Sequence, residues 1–385
     1  MLKILTIIGA RPQIIKAAAL SRAIRNDFSD RIQEVILHTG QHYDENMSQV
    51  FFDEMGIPAA NYNLNVGSGT HGRQTASMIR GIEEVIEKEQ PDYLVLYGDT
   101  NSTLAGAVAA SKMGVPVAHI EAGLRSFNKS MPEEINRITC DHCSTLLFSP
   151  TKAGTANLKR EGFPIESAPP YDANHPGVFH CGDVMYDNAL HFAKIAEESS
   201  DILQRSKLEA GNFILATIHR DNNTDKAERL RAIFNALLQI SKEHQQTIIL
   251  PLHPRTQKLL KGQLGASLYE EVHTSAGIRI IAPVSFLEMI LLEKHSSMII
   301  TDSGGVQKES YFHHKPCIIL RSETEWVEIV DNGSAIIADA DEERILAAYK
   351  HFRKNPPSSF PPLYGDGKAA WFICDTLTSF VVKAN

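Results

Sequence analysis

Short apolar runs with little polar alternation recur along the chain. They are KILTIIG (3–9), QEVILHTG (33–40), DYLVLYGD (92–99), PVAHIEAG (116–123), NFILATIH (212–219), TIILPLH (247–253), IRIIAPV (278–284), SSMIITDSGG (296–305) and KPCIILRS (315–322). Such runs are expected of strands covered on both faces, as in a parallel sheet. Longer stretches of helical periodicity separate them, including Asn101–Met113 and Ala227–Glu243. Strand, helix and strand in alternation predict βαβ units. The design runs twice, and between the two runs lies a Pro-, Gly- and Asn-rich segment, 161–188, with little periodicity. Two Rossmann-like parallel-sheet α/β domains facing across a cleft are therefore expected, one over 1–172 and one over 173–364.

Length agrees, because 385 residues exceed what a single core usually supports. A net charge of −8 argues against nucleic acid as a partner, since a phosphate backbone calls for a basic face. An anionic ligand must then be held by a local site. No apolar run reaches the roughly 18 residues a membrane helix requires, and MLKILTIIGARP lacks the core and cleavage site of a signal peptide. A cytoplasmic protein without membrane insertion is expected. The five scattered cysteines fit free thiols in a reducing compartment. Cys140 and Cys143 of CDHC continue a helix begun near Glu133, so they read as structural and no metal site is expected. The charge runs EEVIEKE and DEER read as solvated helix faces.

In open parallel sheets, ligands sit beyond the carboxyl ends of the strands, so the strand exits carry the candidate chemistry. The first exit, GARPQIIK (9–16), has one glycine where a dinucleotide fingerprint needs three. Nicotinamide binding is not expected there. Arg11 at a helix start, helped by Lys16, suggests an anion. In LYGDTNSTLAG, Asp99 ends a strand and, taken alone, reads more readily as a helix N-cap than as a catalyst. Glu121 and Arg125 occupy the next exit, and Glu133, Glu134 and Arg137 open a helix after Pro132. Acidic positions at consecutive exits of one domain suggest acid/base chemistry.

The second half offers His219 and Arg220 after one strand, His253 and Arg255 after the next, and TDSGGVQKES (301–310) further on. A strand running through Asp-Ser-Gly-Gly into a helix presents N–H groups and a positive dipole end to an anion. It lacks the lysine and hydroxyl spacing of a P-loop. With Arg321 nearby, Ser303, Gly304 and Gly305 read as a diphosphate seat, and Glu309 suits both hydroxyls of a ribose.

GARPQIIKAA, TGQHYD, GDTNSTLAGA, HIEAGLRS, MPEEINR, DSGGVQKE and YGDGKAA together resemble the non-hydrolysing UDP-N-acetylglucosamine 2-epimerase family, from residue 3 to about residue 380. The resemblance implies a glycosyltransferase-B-type fold, a homodimer, and a C-terminal helix, 365–385, returning to the first domain. It implies interconversion of UDP-GlcNAc and UDP-ManNAc with no cofactor, by elimination of UDP to a 2-acetamidoglucal and re-addition. By resemblance, Asp99, Glu121 and Glu133 carry the proton chemistry and His219 lies near the leaving diphosphate. Arg11, His219, Ser303, Gly304 and Gly305 hold the diphosphate and Glu309 the ribose. Lys16, Arg137, Arg220, His253, Phe286 and Arg321 complete the UDP-sugar-binding set. The products suggest cell-surface polysaccharide assembly.

Two segments depart from the pattern. Residues 40–46 read GQHYDEN where some members have Gln-His-Arg and bind a second UDP-GlcNAc as activator. LRSETEWVE (320–328) replaces a frequent Thr-Glu-Arg-Pro-Glu and resembles relatives acting on modified sugars, of the UDP-2,3-diacetamido-glucuronate or UDP-6-deoxy-talosamine type. The competing readings are a glycosyltransferase of the same fold, a hydrolysing epimerase, and a non-catalytic UDP-sugar sensor.

Overall fold

The structure is a computed structural model, and it describes residues 1–40, 56–252 and 254–380. The chain divides into two compact units: Met1–Asn188 together with Pro362–Asn385, and Ala189–Pro361.

The first unit holds a seven-stranded sheet of β1 (Leu2–Ile8), β2 (Ile32–His38), β3 (Tyr62–Asn63), β4 (Tyr93–Tyr97), β5 (Val117–Ile120), β6 (Leu146–Ser149) and β7 (Gly177–His180). Their order is β3-β2-β1-β4-β5-β6-β7 and every pairing is parallel. The central strands β4, β5 and β6 are buried along their whole length. That is why β4 and β5 read as unbroken apolar runs. The helix Asn101–Met113 buries Ala105, Ala107, Ala109 and Ala110. Its small side chains let it lie close to the sheet.

The second unit repeats the plan with β8 (Phe213–Thr217), β9 (Thr247–Pro251), β10 (Ile278–Ile281), β11 (Met298–Thr301), β12 (Cys317–Ile319) and β13 (Ala335–Ile337). The six strands are again all parallel, in the order β10-β9-β8-β11-β12-β13. In each sheet the chain winds outward from its first strand, then returns to that strand's other side. This leaves a crevice at the carboxyl ends of β1 and β4, and another at those of β8 and β11.

The expected division after residue 172 falls too early. Gly177–His180 is β7, hydrogen-bonded in parallel to β6, and so belongs to the first sheet. The helix Ala369–Ser379 also belongs to the first unit. Asp187 accepts hydrogen bonds from the Ala369 and Ala370 amides at 3.2 and 2.8 Å, satisfying two of the free donors at that helix start. Phe28 meets Trp371 edge-on at 5.8 Å.

All five cysteines are free thiols, and Cys140 and Cys143 lie within the helix Pro132–Cys143. Among the described residues, no cluster of His, Cys, Asp and Glu has the makings of a metal site, and no helix is long and apolar enough to cross a membrane.

Candidate active site

In the first unit the exits of β4 and β5 converge. Gly98 turns the chain at φ +61°, and a Cβ added there would stand 2.9 Å from Lys16 Nζ and 3.1 Å from Glu121 Oε2. Glycine is required on both grounds. Glu121 itself holds φ +76°, a left-handed conformation that costs a non-glycine residue roughly 1 kcal/mol or more. Its amide and that of Ala122 both donate to the Phe148 carbonyl at 3.0 Å, which fixes the turn. Glu121 is ion-paired with Lys16, and both side chains are nearly buried. Lys16, expected to help Arg11 with an anion, is therefore engaged with a carboxylate instead.

Asp99 follows. Thr100, not Asp99, caps the helix Asn101–Met113, its hydroxyl accepting from the Thr103 amide, so the N-cap expectation for Asp99 is corrected. The Asp99 carboxylate, about one-third exposed, pairs with Arg137. Arg137 also donates to Glu134 at 2.8 Å. Burial opposes the Arg137 charge, but Asp99 and Glu134 outweigh it and hold the guanidinium more firmly protonated than usual. Glu134 is buried and accepts from Ser126 N, Ser126 Oγ and Phe127 N at 2.9–3.0 Å. Burial pushes its pKa up, yet Ser126 and Arg137 bring it below the ordinary carboxylate range. Glu133 is exposed at the helix start and makes no hydrogen bond or ion pair among the described residues. Arg11 is exposed at the first position of the helix Arg11–Asp27.

Beneath these exits lies a buried network absent from the sequence expectations. His119 Nδ1 hydrogen-bonds Asp141 at 2.7 Å and Nε2 meets the Gly98 carbonyl at 2.8 Å. Two acceptors require both ring nitrogens to be protonated. Burial works against that charge, but Cys140 and Asp141 raise the His119 pKa well above its usual value. Arg125, expected with Glu121 at this strand exit, pairs with Asp141 and Glu161 at 2.7 Å. Its role is architectural.

In the second unit the organising residue is Asp302, at the end of β11. It is fully buried and accepts from the amides of His219 (3.1 Å) and Arg220 (3.1 Å), from Asn223 Nδ2 (3.1 Å), and from His219 Nδ1 at 3.1 Å. Burial favours the neutral acid, but these donors hold Asp302 below the ordinary carboxylate range. With Nδ1 facing a carboxylate, the half-exposed His219 ring keeps Nε2 for a ligand. The signal for Asp302 was present in TDSGG, as the residue preceding the glycine turn.

Ser303 caps the helix Gly304–Phe312, its hydroxyl accepting from Val306 N. A Cβ at Gly304 would lie 2.8 Å from Glu325 Oε1 and 3.5 Å from Arg321 Nη1, whereas one at Gly305 would meet nothing closer than 3.9 Å. A side chain at Gly304 would therefore displace the Glu325 carboxylate, whereas one at Gly305 would displace nothing. Arg321 pairs with Glu325 at 3.0 Å, and its other terminal nitrogen, Nη1, is buried with no hydrogen-bond partner. Arg220 is exposed at the start of a short helix, and its side chain makes no ion pair or hydrogen bond among the described residues. Phe286 is buried, its ring edge-on to Phe192 at 5.4 Å. Arg255 pairs with Asp221 and Asp225 on the surface. His253 and residues 41–46 of the GQHYDEN segment lie outside the described residues.

The description "UDP-N-acetylglucosamine 2-epimerase" is that of the family model matching residues 24–378. A Pseudomonas aeruginosa UDP-2,3-diacetamido-2,3-dideoxy-D-glucuronate 2-epimerase is 46% identical over 98% of this chain and 99% of its own. A Methanocaldococcus jannaschii UDP-N-acetylglucosamine 2-epimerase is 41% identical over 98% of this chain and 99% of its own. A crystal structure of the M. jannaschii UDP-GlcNAc 2-epimerase in complex with UDP-GlcNAc and UDP superposes with TM-score 0.83, at 41% identity, over 98% of this chain and 100% of that one. A UGT transferase from Siraitia grosvenorii in complex with UDP shares the fold at 11% identity and TM-score 0.61, covering 100% of both chains.

Proposed function

The chain belongs to the UDP-N-acetylglucosamine 2-epimerase family, and from that premise we propose that it inverts C2 of UDP-GlcNAc without hydrolysing the UDP bond. The C2 proton of the sugar is not beside a carbonyl, so its direct abstraction is very hard. Breaking the C1–O bond expels UDP, proton loss from C2 gives a 2-acetamidoglucal, and re-addition with protonation on the opposite face completes the inversion. The route needs an acid and a base, together with strong binding of the departing diphosphate.

The carrying observation is the pair Asp99 and Glu121 at neighbouring strand exits of one unit, Asp99 ion-paired with Arg137 and Glu121 with Lys16. Glu133 is the third carboxylate of this set. A glycosyltransferase would need the UDP seat but not these acids. In this reading the second unit takes UDP, with Ser303, Gly304 and His219 on the diphosphate and Glu309 on the ribose. The enzyme works in the cytoplasm as a homodimer, supplying sugars for cell-surface polysaccharides.

A second reading, a 2-epimerase of a UDP-2,3-diacetamido-hexuronate, is favoured by the 46% relative and by the segment Ser322–Trp326. There Thr324 donates to Gln307 at 2.6 Å and Trp326 lies under Lys308 Nζ at 4.1 Å, which fastens that segment to the helix Gly304–Phe312. Incubating the enzyme with each UDP-sugar separately and resolving the epimers by anion-exchange chromatography tests both. A new UDP-ManNAc peak supports the first. Turnover of the diacetamido sugar alone selects the second, and free UDP without an epimer rejects both.

A further inference from the structure

Two groups that the proposed chemistry does not use, His119 and Asp141, meet the acid-bearing strand exits of the first unit from beneath. Both side chains are fully buried. His119 stands on β5, and its Nε2 donates to the Gly98 carbonyl at 2.8 Å. Its Nδ1 donates at 2.7 Å to Oδ1 of Asp141, in the last turn of the helix Pro132–Cys143. The other oxygen, Oδ2, accepts from the Gly123 amide at 3.1 Å and pairs with Arg125 at 2.7 Å. One carboxylate thus reaches Gly123 directly and Gly98 through the imidazole.

Those two glycines bracket the acids. Asp99 follows Gly98, and Glu121 stands two residues before Gly123. Both glycines are left-handed, at φ +61° and +82°, and a glycine backbone is the least restrained by its own sterics. Backbone bonds hold part of each turn: the Gly98 amide donates to the Ile120 carbonyl, and the Glu121 and Ala122 amides to the Phe148 carbonyl, all at 3.0 Å. They leave the Gly98 carbonyl to His119 and the Gly123 amide to Asp141. That carbonyl lies in the planar unit that ends at the Asp99 Cα, so its rotation would swing the Asp99 side chain. Without the imidazole it would also be a buried acceptor with no donor.

We infer that His119 and Asp141 are a positioning pair that locks the peptides at Gly98 and Gly123 and thereby holds Asp99 and Glu121 in one fixed arrangement. The inference rests on the reading of Asp99 and Glu121 as proton-transfer groups. The two ring nitrogens can be tested separately. His119→Asn can place a donor where Nδ1 faces Asp141 and gives up the one to Gly98. His119→Gln can place a donor where Nε2 faces Gly98 and gives up the one to Asp141.

Steady-state kinetics of the full-length enzyme with UDP-GlcNAc, or with the diacetamido sugar if wild type turns over only that, tests the pair, alongside thermal melts and calorimetric titration with UDP. His119→Asn should lower kcat by about a hundredfold, the scale of a misplaced catalytic group, with KM and UDP affinity within about threefold of wild type. His119→Gln should restore kcat to within about tenfold of wild type. Each variant loses one buried hydrogen bond, so the two should melt alike, and a merely structural role would not separate their kcat values. Should His119→Asn not fold, Asp141→Asn, which keeps the shape but has one acceptor oxygen in place of two, decides by the same split of kcat from KM. If the folded variant turns over as wild type does, or the His119 variants lose kcat equally or in step with UDP affinity, the positioning role is overturned while the proton-transfer reading stands. If Asp99→Asn and Glu121→Gln keep wild-type kcat, or wild type turns over neither sugar, that reading falls and takes the inference with it.

Discussion

The two units share a strand order and a pair of crevices, yet their strand exits carry opposite chemistry. At the exits of β4 and β5, carboxylates are ion-paired, Asp99 with Arg137 and the nearly buried Glu121 with Lys16. At the exits of β8 and β11, the carboxylate Asp302 is buried and turns donors outward, namely the His219 ring and the helix start at Ser303 and Gly304. One scaffold thus presents ion-paired carboxylates in one copy and hydrogen-bond donors in the other, which the proposed function reads as proton-transfer groups and an anion seat. Function is set by a few residues beyond the strand ends, not by the fold.

The sharpest way to break this contrast is to neutralise the acids. Asp99→Asn or Glu121→Gln should lower kcat by about a thousandfold, within the range for lost acid/base catalysis, while UDP affinity measured by calorimetry changes less than about threefold. Loss of UDP binding instead would make these carboxylates architectural. Glu133→Gln should also lower kcat, and since the Glu133 side chain makes no hydrogen bond or ion pair among the described residues, the melting temperature should not move.

In the other copy, Asp302→Asn keeps the shape but gives up the charge that orients His219. A fall in kcat of about a hundredfold is expected, comparable to removing a positioned general acid, with His219→Ala on the Asp302→Asn background adding little further. Additive losses would separate the two residues. Smaller still, Gly304→Ala should weaken UDP binding about tenfold because Glu325 must move, whereas Gly305→Ala should leave it within about twofold. Equal effects would show that the backbone at Gly305 needs glycine for a reason other than space.

The smallest effect concerns pH. The His119 pKa is raised in the folded protein, so its contribution to stability is fully present below its unfolded value of about 6.5 and is lost as pH rises through the folded value. The stability gap between wild type and His119→Gln in urea should therefore narrow from pH 6 to pH 9. A gap that widens would mean that the buried ring is neutral.

Legibility from sequence followed burial. Strands buried on both faces, such as β1, β4 and β11, announce themselves as apolar runs. The strands without such a signal, β3, β6, β7 and β13, have between two and four residues, and of these β6 is as buried as β5. β7 also sits inside a segment whose prolines and glycines read as a linker, which is why the boundary was placed early. Site positions were legible where a glycine or proline marked a strand exit, as at Gly98, Pro132 and Gly304. Pairings were not. Nothing local in the sequence distinguishes exposed Glu133 from buried Glu134, or tells Lys16 that its partner is Glu121 at a separation of 105 residues. Asp302 stands in a legible motif, but its partners, the His219 and Arg220 amides and the Asn223 and His219 side chains, lie about 80 residues away and leave no local signature.

The most direct test of a proton-transfer unit joined to a UDP-binding unit is proton NMR of the enzyme with UDP-GlcNAc in D2O, without nicotinamide. The account predicts deuterium at C2 of the sugar together with UDP-ManNAc signals, and neither for Asp99→Asn. Bound UDP with C2 fully protonated in the wild-type reaction, for UDP-GlcNAc and the diacetamido sugar alike, would contradict it.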